Sequence, residues 1–237
     1  MMTLRNQIHA LLLALPIMFI CTIVPTNVMA QFPEHKEVYD PLEGYNRFMF
    51  EFNDWADKLI LKPLAQGYRY VVPEPGREAV HNVVTNLGEP ITFANALLQG
   101  DIDYSMTTLM RFTVNSTIGI GGIFVIVEEE RDRREDFGQT LGHYGMGPGP
   151  YIVLPILGPS NARDAVGLVA DAFTDPFNYL LNDYGRIAKA GITGLDKRES
   201  LLDLTEEIEQ DSFDPYATYR SLYMQRRADE IINGGVE

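Results

Sequence analysis

The stretch EDFGQTLGHYGMGPGPYIVLPILGPSNARD, residues 135–164, decides how the rest of the chain is read. Glycine and proline recur from Gly142 to Pro159, which excludes a long helix or a central strand through this segment. Its run YIVLPIL, residues 151–157, is more apolar than an ordinary surface loop. We therefore expect a fixed, irregular backbone that other parts of the protein cover or that borders a cavity.

The first thirty residues have the pattern of a secretory signal. One basic residue, Arg5, precedes an apolar run that is too short for a comfortable membrane span, and small residues end at Ala30. The pattern predicts cleavage after Ala30, with a mature chain that begins at Gln31 and is exported from the bacterial cytoplasm. An uncleaved anchor helix is the alternative, although two prolines interrupt the apolar run.

The only cysteine, Cys21, lies within this predicted signal. A lipoprotein signal would place small residues before the acylated cysteine, whereas Phe19 and Ile20 are bulky. We therefore expect that Cys21 is not acylated and that the mature chain has neither a thiol nor a disulfide.

Composition limits the partners. The chain has 19 Lys and Arg against 33 Asp and Glu, a formal net charge of −14, which disfavours a nucleic-acid partner and simple attraction to anionic lipid. With 46% hydrophobic residues and no linker or internal repeat, residues 31–237 are expected to form one domain, with residues 31–39 as an N-terminal arm.

The mature chain opens on a predicted helix. Asp40 and Pro41 suit a helix start, and Glu43 could complete a capping box. Either the apolar stripe packs on a protein core or it lies in a bilayer interface, with the intervening polar residues facing water. The stripe consists of Tyr45, Phe48, Met49, Phe52, Trp55, Ala56, Leu59 and Ile60.

Short helices separated by proline and glycine follow, so the sequence predicts an all-α chain. The next four are expected from Pro63 to Val71, up to a stop at Gly88, from Glu89 and Pro90 to Gly100, and after the cap Asp101. Beyond the central stretch, helices are expected after Ser160 or Asn161 with Val166, Val169 and Phe173 inward, after Asp175 and Pro176, from Leu195 to Ile208, and after Asp214.

The segment TVNSTIGIGGIFVIV, residues 113–127, departs from the helical pattern. Its uncharged part is too short to span a membrane, and its glycines give it a flexible backbone. It is either a hairpin buried in a globule, a segment that dips into lipid, or a moving flap.

Sites for catalysis and metal binding are sparse. The chain has no G-x-S-x-G, no H-E-x-x-H and no nucleotide-binding glycine loop. His81 and His143 are expected to be structural, and Asp132, Glu135 and Asp136 to be solvated charge rather than paired catalytic carboxylates. We therefore expect no catalytic residue, no metal site and no cofactor, and a lipid hydrolase is the weakest hypothesis.

Seven segments together resemble one known family. They are DPLEGYNRFMFEFN from Asp40, LKP at Leu61, NLGEP at Asn86, LLQGD at Leu97, RFTVNSTIGIGG at Arg111, the central stretch 135–164, and DPYATYRSLYMQRR at Asp214. In this order they are similar to the VacJ/MlaA proteins of Gram-negative bacteria, across nearly all of residues 40–235. The resemblance implies a single compact, ring-like bundle of short amphipathic helices with a Gly/Pro-rich irregular centre.

The same resemblance implies the function. Members are components of an outer-membrane phospholipid transport system that maintains lipid asymmetry. They sit at the periplasmic face with an amphipathic channel, associate with trimeric porins and pass phospholipid to a soluble periplasmic carrier. A structural adaptor that docks porins without conducting lipid is the alternative.

The resemblance also assigns candidate site residues. Phe52 and Asn53 would lie in a gating region, and residues 118–127 would form a hydrophobic hairpin beside the channel. The candidates of the hairpin are Ile118, Gly121, Gly122 and Phe124, and those of the channel-wall loop are Gly145, Gly147, Pro150, Tyr151 and Pro155. One departure is Val125, where members often carry an acid, so a polar role at the hairpin tip is doubtful.

Overall fold

A computed structural model of the chain describes residues 39–130 and 133–232. The predicted signal, its cleavage after Ala30, Cys21 and Asp132 lie outside the described residues. The helices are α1 (Glu43–Ala56), α2 (Lys62–Val71), α3 (Glu74–Gln99), α4 (Ile102–Thr117), α5 (Phe137–His143), α6 (Ala162–Thr174), α7 (Phe177–Leu180), α8 (Asp183–Ser200), α9 (Leu202–Asp211) and α10 (Pro215–Ile231). The strands are β1 (Tyr151–Leu154) and β2 (Gly158–Asn161).

The predicted all-α fold is confirmed, with one addition at its centre. The expected irregular backbone contains an antiparallel hairpin in which Tyr151 pairs with Asn161 and Leu154 with Gly158. Its turn is Pro155–Leu157, and Gly158 follows with φ of +83°, a conformation that glycine adopts at little cost. Side chains of α1, rather than a third strand, bond to β1, so the hairpin stays small.

The prediction of two helices on either side of Gly88 was wrong, because α3 runs unbroken for 26 residues with Pro90 inside it. Proline removes one backbone donor and normally breaks a helix. Here α3 packs along α4, and the buried ion pair between Glu89 and Arg111, at 2.6 and 2.8 Å, holds the helices together beside Pro90. Asp101 caps α4 as predicted, by accepting the N–H of Tyr104 at 3.0 Å.

Pro63 was expected to start a separate helix, yet α1 continues into α2 through a π-helical turn, Asp57–Leu61. The N–H of Lys62 bonds to the carbonyl of Asp57, and this wider turn tolerates the missing donor of Pro63. The capping box at Asp40 is also absent, since α1 begins at Glu43 with no side-chain cap.

The predicted helix from Leu195 to Ile208 is instead two helices, α8 and α9, with the break at Leu201. Arg69 donates from its guanidinium to the backbone carbonyl of Glu199 at 2.8 Å. This side-chain donor satisfies a carbonyl that the end of a helix leaves without an intrahelical partner.

The interior is more polar than the sequence pattern suggests. Among the described residues, about twice as many buried residues are polar or charged as are hydrophobic. Tyr151, Val153 and Tyr216 form a buried apolar cluster, with Met49 and Phe50 among the partly buried side chains packed against it. Several large apolar residues predicted to face a core are exposed instead.

Helix α6 shows this reversal most clearly. Val166, Val169 and Phe173, which we expected to face inward, are all exposed, and Arg163 and Asp164 on the same helix are buried. Apolar periodicity locates the helix correctly but identifies only a two-sided helix. It cannot say which side faces the protein.

Candidate functional site

The junction between α1 and the central hairpin is built by two asparagines seven residues apart. Asn46, which is fully buried, accepts the N–H of Val153 at 2.8 Å and donates to the carbonyl of Tyr151 at 2.9 Å. Asn53 repeats the arrangement two helical turns later, accepting the N–H of Ile156 at 2.7 Å and donating to the carbonyl of Leu154 at 2.9 Å. Each amide therefore replaces a neighbouring strand along this edge of the hairpin.

The opposite side of α1 is apolar and faces outward. Phe48, Phe52 and Trp55 lie on one stripe at helical spacing, Leu59 continues it in the π-helical turn, and all four are exposed. The rings of Phe52 and Trp55 contact each other at 6.3 Å between centroids. Of the two candidate gating residues, Asn53 thus holds the hairpin turn, and Phe52 belongs to the exposed stripe.

A two-sided cavity of about 460 Å³ lies between α1, the hairpin, α9 and α10. Its apolar wall includes Val153, Pro159 and Tyr219, and its polar wall includes Asn53. Burial, with the nearby charge of Glu209, raises the pKa of Tyr219 to about 12, so its hydroxyl is neutral at ordinary pH. The volume is in the range of small-molecule sites.

Charged residues complete the polar wall of this cavity. Arg198 forms a two-pronged ion pair with Asp57 in the π-helical turn, at 2.6 and 2.8 Å, and Lys58 and Glu209 also line the space. This pair couples α8 to the point where α1 passes into α2. The cavity could thus receive a molecule with one charged and one apolar end.

The segment 118–127 is an exposed apolar hairpin, which excludes the alternative of a hairpin buried in a globule. Ile118, Ile120 and Phe124 are all exposed, and the segment is fixed at its base by Asn115. The Asn115 side chain accepts the N–H groups of Ile126 and Val127 at 2.9 and 3.0 Å and donates to the Val127 carbonyl at 3.0 Å.

Glycines shape the turn of this hairpin. Gly121 and Gly122 have φ of +71° and +93°, and a Cβ on Gly122 would lie 2.6 Å from the side chain of Asn86. At its base, Val125 borders a second cavity, of about 560 Å³, with Arg77, His81 and several carboxylates.

The five candidates of the channel-wall loop are not among the residues that line the cavity beside Asn53. Tyr151 is buried in the apolar core, and the Pro150 carbonyl accepts the N–H of Ala162 at 3.1 Å. Gly145 adopts φ of +86° at the end of α5. From this part of the chain, Val153, Gly158 and Pro159 line the cavity instead, and a role for the five in a channel wall stays a prediction.

A buried ionic network fastens α10 to the central segment. Arg227 bonds to Asp136 and Asp164, and the Tyr223 hydroxyl donates to the same Asp164 carboxylate at 2.5 Å. Burial alone would raise the pKa of Asp164, but Arg227 and Tyr223 outweigh it and hold that pKa below its usual value. Asp164 is therefore a buried, ionised anchor.

Glu135 is also buried rather than solvated, which corrects our expectation for the acidic run. Gln99 donates to one of its oxygens at 2.8 Å and Arg133 to the other at 3.0 Å. Burial raises the pKa of Glu135 despite these partners. Asp136 caps α5 by accepting the N–H of Gln139 at 2.9 Å and also accepts a bond from Arg227 at 2.7 Å.

His81 lies 3.0 Å from Asp196, between its Nδ1 and a carboxylate oxygen. Within residues 39–130 and 133–232, no three His, Cys, Asp or Glu side chains are grouped so that they could hold a metal ion. No helix in the same ranges is both long enough and apolar enough to cross a membrane.

The sequence did not reveal the bonding residues Asn46, Asp164 and Arg227. From the sequence, Asn46 and Asn53 belong only to the polar residues between the apolar positions of α1. The available signal was their spacing, because two amides seven residues apart lie on one side of a helix. Polar residues at that spacing are equally compatible with a helix side that hydrogen-bonds to buried backbone and with a side that faces water.

Known proteins match this arrangement over most of its length. The profile of the MlaA lipoprotein family matches residues 38–230. The "Intermembrane phospholipid transport system lipoprotein MlaA" of Escherichia coli is 39% identical over 202 residues, which cover 83% of this chain and 79% of that protein. The protein of the same description from Haemophilus influenzae is 34% identical over 201 residues, or 82% of this chain and 80% of that protein.

A solved structure, described as the structural basis for maintenance of bacterial outer membrane lipid asymmetry, superposes with a TM-score of 0.71. It is 38% identical in sequence, and the match covers 81% of this chain and 98% of the other. An uncharacterised protein of Rickettsia bellii is 37% identical over 199 residues, covering 83% of this chain and 78% of that protein. The chain belongs to the MlaA family.

Proposed function

We propose that this protein moves phospholipid between membranes and thereby maintains the lipid asymmetry of a bacterial outer membrane. It takes mislocalised phospholipid from the outer leaflet through an amphipathic channel and gives it to a soluble periplasmic carrier. It lies at the periplasmic face, after export by its signal peptide, in association with a porin trimer. The descriptions of its MlaA relatives support the transport role.

The observation that carries this proposal is the reversed polarity of the fold. A protein surrounded by water rarely exposes large contiguous apolar patches, yet Phe48, Phe52 and Trp55 are exposed along one stripe of α1, and the hairpin 118–127 exposes a run of apolar side chains. No described helix is long and apolar enough to cross a bilayer. Short two-sided helices with outward apolar faces favour a protein that lies partway into one leaflet.

The polar interior supports the passage of a lipid headgroup. Moving a charge through hydrocarbon costs several kcal/mol or more, so a headgroup needs polar contacts along its route while the acyl chains slide over apolar surface. The cavity beside Asn53 has both, with Asp57 and Arg198 on one wall and Val153 and Tyr219 on the other. Asn53, which lines this cavity, would control access to it, while a gating role of Phe52, on the opposite side of α1, stays a prediction.

Deletion of the gene tests the proposal directly. We expect the surface-exposed phospholipid to rise, as measured with an amine-reactive label that does not cross the outer membrane. Complementation with Thr205→Phe, which places a ring in the cavity, should restore little of the function. Glu207→Phe lies on the same helix, is exposed and does not line the cavity, so it should complement fully. No rise in surface phospholipid after deletion would refute the transport function.

A second experiment separates transport from a purely structural adaptor. Protein purified in mild detergent should retain co-extracted phospholipid, detected by mass spectrometry, and Thr205→Phe should retain less of it than Glu207→Phe. If the wild-type protein binds porin but carries no phospholipid, the adaptor function replaces the one proposed.

A further inference from the structure

The turn of the central hairpin, Pro155–Leu157, combines an exposed apolar tip with a strained backbone. Ile156 and Leu157 are 60% and 64% exposed, and Ile156 has φ of +65°. A β-branched residue in this region is a genuine outlier, because its Cβ crowds the backbone. Glycine or asparagine would form the same turn with less strain.

An isoleucine at this position is therefore not explained by the needs of the turn. Its exposed side chain contributes little to burial inside the protein, so the strain is not offset by ordinary core packing. No charged residue occurs between Tyr151 and Ser160. The tip presents only apolar side chains to its surroundings.

Two polar backbone groups at this turn are bonded from within the protein. Pro155 has no N–H, and the N–H of Ile156 and the carbonyl of Leu154 both bond to Asn53, at 2.7 and 2.9 Å. In hydrocarbon, polar backbone groups must be satisfied from within the protein.

We infer that the turn Pro155–Leu157 inserts into the hydrocarbon of a lipid leaflet, and that Asn53 favours this insertion by bonding the N–H of Ile156 and the carbonyl of Leu154. The inference rests on the membrane position in the proposed function. Lipid fits better than a protein partner because protein interfaces carry about one hydrogen bond per 100–200 Å², whereas this tip has no polar side chain to offer one. Ile120, at φ of +55° and 62% exposed, repeats the feature at the tip of the hairpin 118–127.

The single tryptophan, Trp55, allows a direct test by fluorescence quenching. The full chain is reconstituted in phosphatidylcholine vesicles with bromine on the acyl chains, as wild type and as the double variant Trp55→Phe/Leu157→Trp. We expect acyl-chain bromine to quench the indole at position 157 strongly and dissolved iodide to quench it little. Strong iodide quenching with no effect of bromine would overturn the inference.

Quenching of Trp55 in the wild type distinguishes the insertion of the turn from the membrane position of the protein as a whole. If bromine quenches Trp55 but not the indole at position 157, the protein lies in the membrane and only the insertion of the turn is refuted. If bromine quenches neither, the membrane position in the proposed function fails as well. Shielding of position 157 from iodide only after porin is added would identify a protein occupant instead of lipid.

A pair of glycine substitutions shows whether a loss of membrane binding comes from the lost apolar side chain or from misfolding of the variant. Ile156→Gly relieves the strain and removes the apolar side chain, while Glu130→Gly relieves a similar strain, at φ of +51°, without removing one. Both thermal midpoints should stay level or rise. The vesicle partition coefficient should fall on the order of tenfold for Ile156→Gly and stay unchanged for Glu130→Gly. Equal partitioning of the two variants, or a lower midpoint for Ile156→Gly alone, would contradict the inference.

Discussion

Replacement of Asn46 by alanine tests whether side-chain amides hold the centre of the fold. In Asn46→Ala, the N–H of Val153 and the carbonyl of Tyr151 lose partners at 2.8 and 2.9 Å inside a buried site. Leaving a buried polar group without a partner costs about 1–3 kcal/mol, and the better helix propensity of alanine returns about 0.5 kcal/mol. We expect a net loss of about 2–5 kcal/mol in the free energy of unfolding.

The assay is denaturant unfolding at fixed detergent concentration, combined with hydrogen exchange of single backbone amides. Asn53→Ala is the matched control, because its bonds are equivalent but lie closer to the surface, and it should lose only about 1 kcal/mol. The amide of Val153 should lose protection in Asn46→Ala, and that of Ile156 only in Asn53→Ala. A loss below about 1 kcal/mol in Asn46→Ala, with Val153 still protected, would refute the reasoning.

Three further predictions concern the buried charges and the close helix contacts. Arg111→Met should lower the free energy of unfolding by about 3–5 kcal/mol, because it leaves the Glu89 carboxylate buried without the Arg111 guanidinium. The double variant Glu89→Leu/Arg111→Met should unfold at a higher denaturant concentration than Arg111→Met, and a lower midpoint for the double variant would contradict this. Asp164 has a lowered pKa, so its ionised form stabilises the folded protein fully above the ordinary carboxyl pKa, about 4, and this stabilisation is lost as the pH falls through the lowered pKa. In Asp164→Asn, the free energy of unfolding should therefore fall less steeply with acid, and an unchanged fall would assign acid unfolding to other groups. Gly167→Ala should strongly destabilise the protein, because the added Cβ would lie 2.3 Å from the backbone nitrogen of Gly138. In the control Gly194→Ala the added Cβ meets nothing within 4 Å, so the thermal midpoint should rise slightly; equal midpoints for the two variants would show that α5 and α6 can separate without cost.

Local signals predicted where α4, α6 and α10 begin. Asp101, Asn161 and Asp214 each accept a backbone N–H in the first turn of the helix that follows, because a short polar side chain before an apolar pattern is a specific local arrangement. Asp40 shows the limit of that signal, because its carboxylate bonds to Asn46, Tyr216 and Arg220 instead. Long-range partners overrode the local preference.

The orientation of the helices could not be predicted, for a physical reason. Periodicity gives the direction of an apolar face, but the choice between protein and lipid as its neighbour depends on what surrounds the molecule. Val166 is exposed and Asp164 is buried on the same helix, the opposite of the arrangement in water. The cavity beside Asn53 could not be predicted from the sequence either, because it is assembled from α1, the hairpin, α9 and α10, which are far apart in the chain.

The polar interior has a consequence for calorimetry. The heat capacity of a protein rises on unfolding mainly because apolar surface becomes hydrated, and typical domains gain about 12–15 cal/mol/K per residue. Here many large apolar side chains are already outside and many buried ones are polar. The increment per residue should therefore be smaller, the curve of stability against temperature flatter, and cold destabilisation weaker than in a water-soluble helical protein of the same length.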